Sequence, residues 1–155
     1  VIYQVINLVF YGHWNAANLS STPATAGVYC AHTGLALPNG QVSIDRLLYV
    51  GKATNVRERV CGHNKWRVWA QYAIGGRQIW INAAAVADVA LRDRAEAALI
   101  FYHKPPTNDD LVENFNHQTT TVRTSGQNGL LAGEFTVEAS PAWHLLAALA
   151  GRPRL

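Results

Sequence analysis

Residues 1–44 contain no lysine, arginine, aspartate or glutamate. Whatever charge pattern the chain uses lies beyond them. Cysteine is scarce too. Cys30 and Cys61 are too few for a disulfide framework, and free thiols in a reducing compartment are the expectation. No apolar run approaches the roughly 18 residues of a membrane span, because polar residues interrupt each one. The start, Val1 to Phe10, is apolar but has neither a basic leader nor a small-residue cleavage pattern, so it does not read as a secretory signal. A cytoplasmic location is expected, with delivery outside the cell as the alternative. Internal repeats and low-complexity segments are missing as well. Apolar residues make up 49% of the chain and charged residues 15%, which is a globular balance and excludes a disordered chain. At 155 residues the sequence predicts one domain with a self-sufficient core.

The charge that is present is concentrated. Between Asp45 and Lys104 lie ten basic residues against five acidic ones, while the whole chain carries +3. A basic middle has two readings of equal weight on charge alone. One is an anionic partner such as nucleic acid, with Arg57, Lys65, Arg67 and Lys104 as candidate contacts; the other is a solvated helical face.

Residues 1–12 fit neither strand nor helix spacing well. Gly27 to Ala31 and Arg46 to Val50 read as two strands of an antiparallel hairpin, with the turn signal Pro38-Asn39-Gly40 in a long uncharged connection. Thr54 or Asn55 can cap a helix that runs towards Cys61, where Gly62 can end it. Lys65 to Ala73 predicts a second helix and Gln78 to Ile81 a third strand. Val86 to about His103 predicts the longest helix, stopped by Pro105-Pro106. Residues 114–128 read as loop or irregular strand, Glu134 to Glu138 as a short strand, and Ala142 to Ala150 as an amphipathic terminal helix whose Trp143, Leu145, Leu146 and Leu149 suit a core. The element order predicts a small α/β domain with a mainly antiparallel sheet.

Two tripeptides stand out. Gly27-Val28-Tyr29 is followed by Tyr49-Val50-Gly51, and each pairs a tyrosine with a glycine on a predicted strand. Behind them come Lys52, Arg59, His63, Glu96 and Asn108. Phosphodiester hydrolysis needs a base for water, positive charge for the pentavalent transition state and help for the leaving oxygen. Tyr29 and Tyr49 are candidate proton acceptors. A free tyrosine has a pKa of about 10, so Lys52, Arg59 and a bound cation would have to favour its phenolate. The alternative for either tyrosine is core packing. Arg59 and His63 are four apart, which on a helix puts them on one face with Arg57 pointing elsewhere; as lone residues they are more often surface. A guanidinium holds two phosphate oxygens at once. Glu96 lies in the apolar run Ala95 to Ile100. Facing inward, it would suit magnesium as a single carboxylate; facing outward, it would pair with Arg92 or Arg94. Asn108 reads as a site residue or a turn residue.

In this order and spacing the residues resemble the GIY-YIG endonucleases. Gly27-Val28-Tyr29 and Tyr49-Val50-Gly51 look like the two naming motifs, with Val for Ile in both. Asn55 to Val60 with His63 looks like the family's arginine-bearing helix, Glu96 like its metal-binding glutamate and Asn108 like the asparagine that closes the motif set. The likeness spans about residues 24–110, with an N-terminal extension over 1–23 and a C-terminal extension over 111–155. It implies an α/β fold, a small sandwich with a central three-stranded antiparallel sheet flanked by helices. It further implies hydrolysis with one Mg2+, or Mn2+, on Glu96. A motif tyrosine, Tyr49 with Lys52 or His63 nearby, would help activate water, while Arg59 and Tyr29 contact the scissile phosphate. Relative to the compact family form, Thr33 to Asp45 looks like an insertion. The Val50-Gly51-Lys52-Ala53 run is similar to restriction-enzyme-like members.

The leading expectation is therefore a divalent-metal-dependent DNA endonuclease acting in defence against foreign DNA. An antibacterial nuclease toxin with a cognate inhibitor protein comes next, and RNA is the second polymer the site would suit. From another class comes a non-catalytic nucleic-acid-binding module with the same fold, using the basic middle and exposed Trp66 and Trp69 to stack on bases.

Overall fold

The opening apolar run is a strand. In the computed structural model, which describes residues 4–141 and 148–151, Gln4–Trp14 forms β1. Ile6, Leu8 and Phe10 point into the core, whereas Val5, Val9 and Tyr11 on the other face are exposed. Both faces thus carry apolar side chains, which blurs the period-two signal in the sequence.

Gly27–Ala36 forms β2 and Val42–Ala53 forms β3, paired antiparallel from Gly27 opposite Ala53 to Ala36 opposite Val42. The apparent insertion at Thr33 to Asp45 is this hairpin itself, grown longer at its closed end. Only residues 37–41 turn, with Gly40 at φ +81° and the Leu37 N–H bonded to the Gln41 carbonyl at 2.8 Å. Gln78–Ala85 forms β4, Thr120–Gly126 forms β5 and Glu134–Val137 forms β6. The strand order is β3-β2-β4-β1-β5-β6, with β1 and β5 parallel and the other neighbours antiparallel.

The implied fold needs correction. The expected three-stranded antiparallel sheet flanked by helices is instead a mixed six-stranded sheet curled into a half-barrel, with few helices. The three expected strands are its β3-β2-β4 half. Of the other half, the sequence offers β6 as a short strand over Glu134 to Glu138, leaves β1 ambiguous, and reads β5 as loop or irregular strand because β5 is polar in sequence. Its inward residues are Thr120, Val122 and Thr124, and the two buried hydroxyls donate to the Gln118 and Ala132 carbonyls at 2.8 Å each. A buried threonine with a satisfied hydroxyl serves as core.

The helices are short except one. Val56–Cys61 forms α1, capped by the Asn55 side chain accepting from the Glu58 N–H at 3.1 Å. Trp66–Ala70 forms α2, shorter than its expected span. Val89–His103 forms α3, capped by Asp88 and closed by Lys104 in a left-handed conformation at φ +46°, just before the proline pair. Helix α3 packs on one sheet face, with Ile6, Leu8, Phe10, Val28, Cys30 and Val50 beneath it. Tyr29, Ala31, Leu48 and Ile81 face α1 and α2 on the other, with Val56, Val60 and Trp69. Strand β2 is buried on both faces over Gly27 to Gly34. Both cysteines are free, Cys30 buried and Cys61 exposed. No helix among the described residues is long and apolar enough to cross a membrane. Of the expected terminal helix, residues 142–147 lie outside the described residues, and Leu149 is exposed.

Burial also sets the proton inventory. His13, His32, His63, His103 and His117 are all held below the usual histidine pKa, mainly by desolvation, His32 at about 3 and His63 at about 4. The unfolded chain therefore binds more protons than the folded one between these values and 6.5. This contribution to stability is complete above pH 6.5 and is lost as the pH falls towards 4. Urea denaturation across that range is expected to give a midpoint that drops steadily below about pH 6.5; a midpoint unchanged down to about pH 5 would contradict the buried neutral histidines.

Candidate active site

Both tripeptides lie in the hairpin, and packing explains their glycines. Tyr29 is completely buried on β2. A side chain at Gly51, which pairs with Tyr29 across the hairpin, would place its Cβ 2.5 Å from the phenol oxygen of Tyr29 and 2.8 Å from the Tyr49 ring. Gly27 has a similar role at the strand start, where a Cβ would sit 2.2 Å from the Ala84 carbonyl oxygen of β4.

The Tyr29 hydroxyl lies 2.9 Å from His63 Nε2. His63 Nδ1 accepts the Lys65 N–H at 3.0 Å, so the neutral ring carries its proton on Nε2 and donates it to the tyrosine oxygen. The Arg59 guanidinium lies close enough to Tyr29 to favour its ionised form. Burial, reinforced by Tyr49, pushes the Tyr29 pKa well above the tyrosine value despite Arg59 pulling it down. Tyr29 is thus a neutral phenol sealed from solvent. It touches the cleft through Arg59 and Tyr49 rather than directly. Arg59 and His63 were expected on one helical face, but α1 ends at Cys61. His63 lies beyond the helix and folds back under it, and the two meet at Tyr29.

Tyr49 is half-buried, with its ring centroid 6.1 Å from Tyr29, 5.1 Å from His63 and 5.4 Å from Trp69. With Arg59, Lys65, Glu96 and Asn108 it lines a cleft of about 260 Å3. Five of the residues singled out in the sequence, drawn from β3, α1, the α1–α2 connection, α3 and the loop after it, converge there. Asn64, Asp109 and Asp110 complete the polar lining.

Glu96 on α3 is half-buried and faces this cleft. The two arginines that could have paired with it outward are occupied elsewhere. Arg92 donates to the Val86 and Ala87 carbonyls at 3.1 and 3.3 Å, and Arg94 to Gln4, Thr120 and the Gln118 and Thr119 carbonyls. Desolvation raises the Glu96 pKa; the Lys52 charge and backbone N–H oppose this, while Asp93 adds to it. Lys52 is exposed and its Nζ pairs with Asp93 at 2.6 Å.

Asn108 is a clamp. Its Oδ1 accepts the Val50 N–H at 3.0 Å and its Nδ2 donates to the Val50 carbonyl at 2.9 Å. Strand β3 is an edge strand, and one amide side chain satisfies its outward backbone groups beside Tyr49 and Gly51. Thr107 does the same one step back. It bonds the Leu48 carbonyl through its N–H at 3.1 Å and its hydroxyl at 2.6 Å, and it accepts from buried Trp69 Nε1 at 3.1 Å.

The other expected contacts divide. Lys65 lines the cleft and pairs with Asp109 at 2.7 Å. Arg67 is exposed on α2. Arg57 turns away, with Nε on the Thr22 carbonyl at 2.7 Å. Lys104 lies at the far end of α3, on the Val112 carbonyl and 4.1 Å from the Phe101 ring centroid. Trp66 and Trp69, expected as exposed stacking platforms, are half-buried and fully buried respectively, and their indole N–H groups are bonded internally. Their spacing reflects packing over the hairpin. The sequence reading missed Asp109 and Asp110, although they directly follow Asn108, and it missed Asp93 as the partner of Lys52. A larger concavity of about 620 Å3, lined by His13, Asn15, Asn18, Gln41 and Gln127 among others, carries no charged side chain and holds none of these groups.

No protein-family model, curated protein or solved structure matches the chain.

Two variants test the geometry. Glu96 has a raised folded pKa, so its ionisation becomes less favourable on folding and the charged form weakens the fold as pH rises above the unfolded value. Glu96→Gln is therefore expected to raise the thermal midpoint at neutral pH in EDTA; a lowered midpoint would contradict the desolvated carboxylate. Asn108→Ala strands both backbone groups of Val50 and is expected to cost about 1–3 kcal/mol in urea denaturation.

Proposed function

We propose that the chain is a divalent-metal-dependent endonuclease of GIY-YIG type that hydrolyses phosphodiester bonds in DNA. The observation that carries the reading is the meeting of Tyr49, Arg59, Lys65, Glu96 and Asn108 around one cleft. Each supplies something that phosphodiester hydrolysis needs, and Asn108 fixes the strand that presents Tyr49.

Arg59 is the phosphate-binding group. It stands in the cleft wall, and its guanidinium matches two phosphate oxygens. Tyr29 and His63 act through it, since the buried phenol positions the guanidinium and the neutral imidazole orients the phenol. Tyr49 is the tyrosine that reaches the cleft, so it is the one placed to orient water for attack. Lys65 adds charge at the cleft wall once phosphate displaces Asp109.

Among the described residues no three His, Cys, Asp or Glu side chains are grouped to hold an ion. The donors present are Glu96 and, at the cleft wall, Asp109 and Asp110, in a space that has room for water. A single hard carboxylate with water and phosphate oxygens fits Mg2+, which keeps most of its hydration. When bound, such an ion supplies charge stabilisation for the developing phosphorane oxygens. A nearby positive charge would also relieve the cost of ionising Glu96.

The test is cleavage of supercoiled plasmid with Mg2+, with EDTA and Glu96→Gln controls. Wild type is expected to cut. Glu96→Gln and Arg59→Ala should each lose about 100-fold or more in rate while remaining folded. Discrete fragments would indicate a sequence-reading enzyme of restriction type, and a smear a nonspecific nuclease. Undiminished cutting by Glu96→Gln would overturn the role given to Glu96. A folded wild type that cuts no DNA would overturn the reading, and cutting of RNA alone would make the chain a ribonuclease instead.

A further inference from the structure

Arg59 lines two clefts rather than one. The first holds Tyr49 and Glu96. The second, of about 300 Å3, lies between the end of β3 and α1 and is lined by Ala53, Thr54, Asn55, Glu58, Arg59 and Gly62. A phosphate held by Arg59 in the first therefore has an adjoining nucleotide within reach of the second.

The second cleft contains a group that an anion-binding surface should avoid. Glu58 is exposed and forms no ion pair among the described residues. Only its backbone N–H takes part in the helix cap. Beside the guanidinium that takes phosphate, a carboxylate repels phosphate. What a bound strand brings to Glu58 must be a hydrogen-bond donor, because an ionised carboxylate only accepts. Base edges supply such donors selectively. On the major-groove edge, cytosine N4 and adenine N6 are amino donors, whereas thymine O4 and guanine O6 are acceptors. The Asn55 side-chain oxygen is committed to the cap, and the Thr54 hydroxyl can bond either kind of edge.

We propose that this cleft is the subsite for the nucleotide next to the scissile phosphate, and that Glu58 there reads the major-groove edge and selects a base that carries an amino group on it, cytosine or adenine, over thymine or guanine. The inference rests on the nuclease reading and names the substrate feature that the same site distinguishes. Glu58 is a specificity residue and takes no part in bond cleavage.

The experiment sequences the ends left by wild type, Glu58→Gln and Glu58→Lys on random-sequence DNA with Mg2+. Binding of Glu96→Gln protein, with and without Glu58→Gln, to oligodeoxycytidine and oligothymidine is measured alongside. Wild-type ends are expected to show about a tenfold excess of C and A over T and G at one position flanking the cut. Glu58→Gln, which both donates and accepts, should flatten the excess, and Glu58→Lys should turn it towards T and G. Cutting with no such excess, or with one that survives both substitutions, overturns the subsite and leaves the nuclease reading intact. Absence of cutting, with a deoxycytidine preference that Glu58→Gln removes, overturns the nuclease reading and upholds only the base selection by Glu58. Absence of both overturns both.

Discussion

The hydrogen bond between the Tyr29 hydroxyl and His63 Nε2 is the point from which the site is built. It sits inside the protein, where an unpaired hydroxyl or imidazole is costly. To make it, the chain past α1 must fold back so that His63 lies under the helix, and the Lys65 N–H must hold the opposite ring nitrogen. To leave room for it, residue 51 must lack a side chain. Arg59 lies near the same phenol and pulls its pKa down. One buried phenol thus links β2, β3, α1 and the following connection, and Arg59 is aimed by atoms that no substrate touches.

The outer edge of the hairpin presents a different problem. Strand β3 has no neighbouring strand beyond it, yet it carries Tyr49 and Gly51. The loop after Pro105-Pro106 lies along it and pairs with it through Thr107 and Asn108. The edge is covered and the cleft gains its far wall together. The same arrangement leaves Glu96 half-desolvated with its neighbouring arginines turned away, a cost to the fold that is consistent with a group kept for chemistry.

The hairpin, the capped α1, β4 and α3 were legible because each has a local signature: short apolar runs beside a turn signal, an Asn cap, a proline stop. The turn at Asn39-Gly40 was legible, but not how far the strands ran towards it, since Thr33 to Asp45 lacks a sharp alternation. Strand β1 was ambiguous because it is apolar on both faces, and β5 because its core positions are mostly threonine. Trp66 and Trp69 could not be placed from spacing, because i and i+3 aromatics look alike on a solvent face and under a sheet.

By itself, the sequence determined the order of the chemistry-bearing residues and the local elements that carry them, since turns, caps and helix stops act over a few residues. Only the tertiary structure decided the sheet. Whether β1 joins β4, and β5 joins β1, depends on pairings such as Phe10 with Ala84 and Gln4 with Thr120, between segments distant in the chain, which no local pattern encodes. It also decided which tyrosine is sealed and which reaches the cleft, and which way Glu96 faces. Those outcomes follow from how α1 and α3 close over opposite faces of one hairpin, and burial, not residue type, sets the charge and reach of each group.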